Sequence, residues 1–123
     1  MNFYFNEKSL SQLKDVNPKL IAALHKALQL TPVGFQIKEG LRSKMTQQEL
    51  CENGDADSYD SKHCTGEAVD LVCIHDETES YNYDDYQIVA NALELAIIDT
   101  EIKIKWAGED STNIKKMMHF EIE

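Results

Sequence analysis

Two histidines and one aspartate are the residues of this chain whose types and spacing best suit chemistry. His63 and Asp70 lie in the segment Ser-Lys-His-Cys-Thr-Gly-Glu-Ala-Val-Asp, and His119 begins His-Phe-Glu near the end of the sequence. Two imidazoles and a carboxylate form a ligand set that leaves a divalent zinc ion one open position for water. An open position distinguishes a hydrolytic metal site from a structural one. The residue types therefore point to a hydrolytic zinc site made by His63, Asp70 and His119.

The elements around these residues must bring them together. Residues 118–123 alternate between apolar and polar side chains, which predicts a strand with His119 on the face opposite the buried one. Residues 68–73 predict a second strand that carries Asp70, and Gly66 permits a turn that directs His63 back toward it. The alternative from residue types alone is two unrelated surface histidines and an aspartate that caps a turn.

Apolar spacing and capping residues predict four helices, and alternation predicts two more strands. The helices are 18 to about 30 after the N-cap Asn17, 46–51 with Thr46 as its N-cap, and 84 or 85 to 98; a shorter helix precedes residue 17. The additional strands are 35–38 and 101–106. Together these elements predict a single α+β domain over residues 1–123, in which a small antiparallel sheet packs against helices and the zinc site lies on the open sheet face.

Composition excludes some classes of partner. The formal net charge of −10 opposes binding to nucleic acid and to anionic lipid, because the long-range field repels both. The most apolar later stretch, residues 90–98, is too short to span a bilayer, so no membrane insertion is expected. The first residues lack the basic start and apolar run of a signal peptide, which predicts synthesis in a cytoplasm. The protein is also expected to be a monomer. Three cysteines, Cys51, Cys64 and Cys73, argue by their odd number against a disulfide framework.

The order of the residues is more specific than their types. The pattern Ser-x-His-x-x-Gly-x-Ala-x-Asp from Ser61 to Asp70, followed by the His-Phe-Glu that begins at His119, resembles the signature of a family of zinc peptidases. This family includes D-alanyl-D-alanine carboxypeptidases and phage endolysins that cut L-alanyl-D-glutamate bonds in peptidoglycan. The segments Phe-x-Phe-x-x-x-Ser-Leu, Ala-Leu-x-Leu-Thr-Pro-Val and Glu-Gly-Leu-Arg-Ser resemble the endolysin branch, so the likeness extends over the full length.

The resemblance implies a function and a set of roles. His63, Asp70 and His119 would be the zinc ligands, and the substrate would be a peptidoglycan stem peptide. Arg42 and Ser61 would contact that substrate, Arg42 by gripping a peptide carboxylate through its planar guanidinium. An ion pair between Arg42 and Glu39 is the structural alternative. As in the phage enzymes, the protein would be made in the host cytoplasm and act on the cell wall after release.

One position departs from the family pattern. The carboxylate that takes a proton from the attacking water typically lies three residues before the last histidine, where this chain has Lys116. A protonated ammonium cannot accept that proton. Glu109, and after it Asp110, are the nearest substitutes and are predicted to share the wall of the site with Lys116; Glu121 is a second possibility that is better explained as a solvent-facing strand residue.

Two hypotheses follow from this departure. In the first, the chain is a zinc peptidase that hydrolyses an L-alanyl-D-glutamate or D-alanyl-D-alanine type amide, with Glu109 or Asp110 as the catalytic base. In the second, the chain is a degenerate family member that keeps the fold and zinc but only binds a ligand or partner. Intact metal ligands and Arg42 favour the first hypothesis, and Lys116 favours the second.

Overall fold

The computed structural model describes residues 3–56 and 58–123, and within them it shows helices packed against an antiparallel sheet. In chain order the elements are α1 (Glu7–Leu13), α2 (Pro18–Leu30), β1 (Gly34–Glu39), α3 (Lys44–Glu52), a single 3-10 turn (Lys62–Thr65), β2 (Ala68–His75), β3 (Thr78–Ser80), α4 (Tyr83–Ala96), β4 (Ile104–Trp106), α5 (Ile114–Met118) and β5 (His119–Ile122). The predicted α+β class is confirmed.

Strand β2 organises the sheet. β1 pairs with one side of β2, while β5 and β3 pair with the two ends of its other side, and β4 adds outside β5. Every pairing is antiparallel. In the β2–β5 register, Asp70 lies directly opposite His119. The sheet therefore makes neighbours of two residues that are far apart in the sequence.

One hydrophobic core joins the helices to the sheet. It contains the buried face of α2, residues of α4 and the apolar side chains of the strands, and its fully buried members include Leu20, Leu24, Leu71, Leu93 and Phe120. Helix α2 begins as the sequence predicts, because the Asn17 side chain accepts a hydrogen bond from the Lys19 amide and Pro18 takes the first helical position. Buried Met118, Phe120 and Ile122 alternate with half-buried His119 and Glu121, which confirms the predicted faces of the last strand.

The structure corrects several predicted boundaries. Helix α3 begins after Ser43, whose hydroxyl accepts a hydrogen bond from the Thr46 amide, so Thr46 lies in the first turn and is not the N-cap. Strand β4 covers only 104–106, because Ile104 already lies opposite Ile122 at the end of β5 and residues 101 and 102 have no strand beside them. The short elements β3 and α5 are absent from the sequence prediction, since each spans too few residues to show a period.

The helices of residues 3–56 and 58–123 do not combine the length and hydrophobicity that a membrane crossing requires.

Candidate metal centre

His63, Asp70 and His119 meet on one face of the sheet. His63 Nε2 lies 3.2 Å and His119 Nδ1 lies 3.1 Å from the same oxygen, Oδ1 of Asp70. One ligand atom from each of the three residues lies within 4.8 Å of the others. The 3-10 turn delivers His63, β2 delivers Asp70, and the first residue of β5 delivers His119. The structure therefore brings together the three residues that the sequence selects as metal ligands.

Both imidazoles are held by their second nitrogen. His63 Nδ1 lies 2.8 Å from the carbonyl oxygen of Gly40, and His119 Nε2 lies 2.8 Å from Oε1 of Glu121. A carbonyl oxygen only accepts, so His63 donates from Nδ1; a carboxylate likewise accepts from His119 Nε2. In the neutral imidazoles, the nitrogens that face Asp70 therefore carry lone pairs. Such outer partners fix the tautomer and the ring orientation in metal sites.

This donor set fits a cation. Two imidazole lone pairs and a carboxylate oxygen are all hydrogen-bond acceptors. The two ring nitrogens lie 3.2 and 3.1 Å from Asp70 Oδ1, and no hydrogen atom joins these acceptors unless a ring is protonated. A divalent cation between the three groups satisfies all of them at once. Imidazole nitrogens with one carboxylate oxygen are typical zinc donors. The residues present thus match the ligand set of a metal site with three protein ligands.

Two close backbone approaches position His63. A Cβ added at Gly40 would lie 1.9 Å from the carbonyl oxygen of Gln12 in α1. Only glycine therefore fits at position 40, where the Gly40 carbonyl binds His63. Gly66 ends the 3-10 turn in the left-handed region at φ 76°. The Ser61 hydroxyl accepts a hydrogen bond from the His63 amide, 3.2 Å away, and so begins the turn. Gly40 was missed from the sequence, where its position just before Leu-Arg gave no sign of contact with a distant histidine.

Without a metal, protons compensate the cluster. Burial alone would raise the pKa of Asp70, but the hydrogen bonds from His119 and His63 outweigh it and hold that pKa well below its usual range. Burial alone would lower the pKa of His119, but its bonds to Asp70 and Glu121 outweigh it and raise that pKa above its ordinary value. The metal-free protein therefore retains a proton on His119 at a pH where a free histidine has lost it.

The three residues lie in a cleft with a cavity volume of ≈ 950 Å³, which is called the cleft below. Its lining includes the cations Lys38, Arg42, Lys115 and Lys116. Besides Asp70, the carboxylates among the described lining residues are Glu39 and Asp55. Ser61, Tyr81 and Met118 also line it. The cleft is wide enough for a peptide and carries charges of both signs beside the candidate metal ligands.

Comparison with known proteins agrees with this geometry. The family model described as phage L-alanyl-D-glutamate peptidase matches residues 1–122. The chain belongs to this family. It is 30% identical over 113 residues to the L-alanyl-D-glutamate peptidase of Escherichia phage T5, a match that covers 89% of this chain and 82% of that protein. It is also similar to the crystal structure of the Serratia marcescens L-Ala D-Glu endopeptidase ChiX, with a TM-score of 0.87, 31% identity, and coverage of 98% of this chain and 90% of that chain.

The two residues predicted to replace the family's catalytic base lie elsewhere. The Glu109 side chain lines a different cavity with Trp106 and Phe120, on the sheet face opposite His119. Its backbone carbonyl accepts a hydrogen bond from Tyr83 of α4, 2.9 Å away, which holds the turn on that side. Asp110 is exposed and does not line the cleft. The expected wall shared by Glu109 and Lys116 is therefore not formed.

Arg42, the single arginine of this peptidase family member, is engaged by neighbours in the protein. Its Nε lies 3.2 Å from Glu39 Oε2, Nη2 contacts the other oxygen of Glu39, and Nη1 lies 2.7 Å from Gln47 Oε1. The hydrogen bond to Glu39 raises the pKa of Arg42 despite partial burial. Buried Gln47 in turn donates to the carbonyl of Ser58, 2.7 Å away. These contacts match the structural alternative, in which Arg42 supports the fold beside the cleft.

We expect Arg42→Lys to lower the free energy of unfolding by about 2 kcal/mol, because an ammonium cannot replace the fork that binds Glu39 and Gln47 together. Urea denaturation followed by circular dichroism would measure the loss. Zinc content should stay the same, because the Arg42 amide, which donates to the His63 carbonyl 3.0 Å away, is kept by the substitution, and the ammonium of lysine keeps the positive charge beside Asp70. Unchanged stability combined with weaker peptide binding would instead assign Arg42 to the substrate.

Metal affinity should depend on pH with a defined sign. The metal competes with the proton on His119, whose pKa is raised in the folded, metal-free protein. Zinc affinity is therefore expected to fall by about tenfold per pH unit as the pH drops through that pKa, beginning above the value of about 6.5 that is ordinary for histidine. In the metal-free protein the same group stabilises the fold below its unfolded pKa, and this stability is lost as the pH rises through the folded pKa. Competition titrations with a chromophoric chelator at several pH values would check this, and a flat profile would contradict it.

Proposed function

We propose that this protein is a zinc-dependent peptidase that hydrolyses the L-alanyl-D-glutamate bond of peptidoglycan stem peptides. The observation that carries the proposal is the convergence of His63, Asp70 and His119 on one point of a cleft. Membership of the phage L-alanyl-D-glutamate peptidase family supports the substrate. By the same likeness we place its action at the cell wall, as a monomer made in the host cytoplasm and active after release.

His63, Asp70 and His119 would hold the metal, while the Gly40 carbonyl and Glu121 keep both rings in the tautomer that offers a lone pair. Zinc with three protein ligands supplies an open position that acidifies water and polarises a carbonyl. In the net reaction the bond between the alanine carbonyl carbon and the glutamate nitrogen breaks. The hydroxyl of one water joins the carbonyl carbon, and a proton joins the leaving amine.

A carboxylate of the chain must accept the proton of that water. Asp70 belongs to the proposed ligand set, and both carboxylate oxygens of Glu39 are bound by Arg42. Asp55 is the remaining carboxylate among the described residues that line the cleft, and its Oδ1 lies 3.9 Å from Lys115 Nζ. We therefore assign the role of general base to Asp55 in place of the expected Glu109 or Asp110.

Lys116 favours a second candidate function. A cation stands where the family pattern places the catalytic acid, and this is consistent with a protein that keeps the fold and the metal ligands but only binds stem peptides. The two functions share the ligand and differ in turnover alone.

Incubation with purified peptidoglycan separates the two functions. The zinc-loaded protein is expected to clear the wall in a zymogram, to release peptides that begin with D-glutamate as identified by mass spectrometry, and to lose this activity on chelation. Restoration by zinc shows that the chelator acted at the metal. Binding to the wall without release of any peptide, on walls of several bacteria, would replace the peptidase with the binding protein.

A further inference from the structure

Cations are concentrated in the cleft of an otherwise acidic protein. The chain has a net charge of −10 and 12 lysines and arginines, and Lys38, Arg42, Lys115 and Lys116 all line this one cavity. Such a concentration attracts an anionic ligand against the field of the whole protein. The peptide of the proposed function is such a ligand, because D-glutamate carries a carboxylate.

The cations that line the cleft differ in their ion-pair and hydrogen-bond partners. Arg42 is bound by Glu39 and Gln47, and Lys115 Nζ lies 3.9 Å from Asp55. Within residues 3–56 and 58–123, no carboxylate oxygen lies within 4.0 Å of the Lys116 ammonium. Lys116 is exposed and lines the cleft, so its charge is available to a ligand.

Lys38 also lines the cleft without an ion pair among the described residues, but its surroundings differ. It lies on β1 next to Glu39, which is the register partner of Asp70. Lys116 instead follows Lys115 on α5, and this short helix runs directly into His119. Among the four cations that line the cleft, Lys116 is thus the nearest along the chain to one of the proposed metal ligands.

The proposed substrate has a carboxylate close to the bond that is cut. In stem peptides D-glutamate continues the chain through its γ-carboxyl group, which leaves its α-carboxylate free. That carboxylate is bonded to the carbon that also carries the scissile nitrogen. A group that binds it must therefore stand beside the metal ligands. An ammonium one helical turn before His119 meets this requirement.

We propose that Lys116 binds the α-carboxylate of the D-glutamate residue that follows the scissile bond, which rests on the proposed substrate class. The lysine then has a role of its own at the position where the family pattern that this sequence resembles typically has an acid. It selects stem peptides with a free α-carboxylate over those in which this group is an amide, since an amide has no charge for the ammonium to pair with.

Two peptides that differ in one group test this assignment. They are N-acetyl-L-alanyl-D-glutamate γ-methylamide and its α-carboxamide counterpart, titrated by calorimetry into the full chain treated with a chelator so that neither is hydrolysed. The unmodified protein is expected to bind the acid about tenfold more tightly than the amide, and Lys116→Met is expected to abolish this preference by weakening the acid alone. Lys38→Met removes the same charge elsewhere in the cleft and should keep the preference.

Each other outcome overturns the assignment. A preference that survives in Lys116→Met, one that disappears only in Lys38→Met, or an unmodified protein that binds neither peptide at millimolar concentration would each remove Lys116 from this role. Cleavage of the wall is measured separately. A preference that depends on Lys116 in a protein that cuts no wall would reject the peptidase and leave the carboxylate site standing.

Discussion

Replacing His119 with alanine is expected to remove bound zinc and to lower peptidoglycan cleavage by at least about 10³-fold, because two ligands do not retain a catalytic zinc ion. His63→Ala should do the same, but His63 is 2% exposed and its loss also leaves the Gly40 carbonyl without its donor. His119 is half-buried, so its variant is expected to fold and is the cleaner test. Metal analysis of the purified variant and cleavage of labelled peptidoglycan measure the two losses.

His25→Ala is the matched control for this test. The chain has four histidines, and His25 is exposed on α2, where its ring packs against Phe5 at a centroid distance of 5.0 Å, away from the cleft. This variant should keep both zinc and cleavage. A His119→Ala protein that folds and holds as much zinc as the unmodified chain would refute the metal site. Full cleavage without bound zinc would refute the role of the metal in the reaction.

The second large effect is expected at Asp55. If its carboxylate takes the proton from water, Asp55→Asn should lower kcat by about 10²–10⁴-fold while zinc content stays the same, because the amide keeps the shape but cannot accept the proton. Glu109→Gln and Asp110→Asn should cleave at the rate of the unmodified protein, since neither residue lines the cleft. Steady-state kinetics on a labelled stem peptide compare the three variants. A loss in Glu109→Gln with none in Asp55→Asn would reverse the assignment.

Lys116→Asp provides the complementary measurement. It restores an acid three residues before His119 and removes the ammonium that we assign to the substrate carboxylate. For a working peptidase with Asp55 as its base, this variant should raise KM for peptides with a free α-carboxylate. Turnover that appears only in Lys116→Asp would identify the chain as a binding protein that lost its chemistry at one position.

The three proposed metal ligands could be selected from the sequence because each depends on a local pattern. The pleat of a strand fixes which residues share a face, so the alternation from Met118 onward placed His119 opposite the buried side chains before any partner strand was known. Asn17 and Pro18 marked the start of α2 in the same local way. Asp70 and His119 meet because they are register partners on β2 and β5. The sequence permitted this register but did not specify it.

Other features depended on contacts that no local pattern records. Glu109 follows the Trp106–Gly108 turn, where Trp106 Nε1 donates to the Met117 carbonyl 2.7 Å away, and it lines a cavity other than the cleft, which the sequence did not predict. The sequence left undecided whether Arg42 binds a substrate carboxylate or Glu39. The fold brings both Glu39 and Gln47 to its guanidinium.

By itself, then, the sequence determined the ligand types, the faces that carry them and the family they resemble, because backbone periodicity and residue order are properties of the chain. The tertiary structure decided which charges are paired and which face the cleft. Asp55 and Lys115 lie 60 residues apart in number and only 3.9 Å apart in space, whereas the Lys116 ammonium beside them has no carboxylate oxygen within 4.0 Å among residues 3–56 and 58–123. Such pairings arise from register and turn geometry, where a small change in one loop redirects a side chain to the opposite face of the sheet.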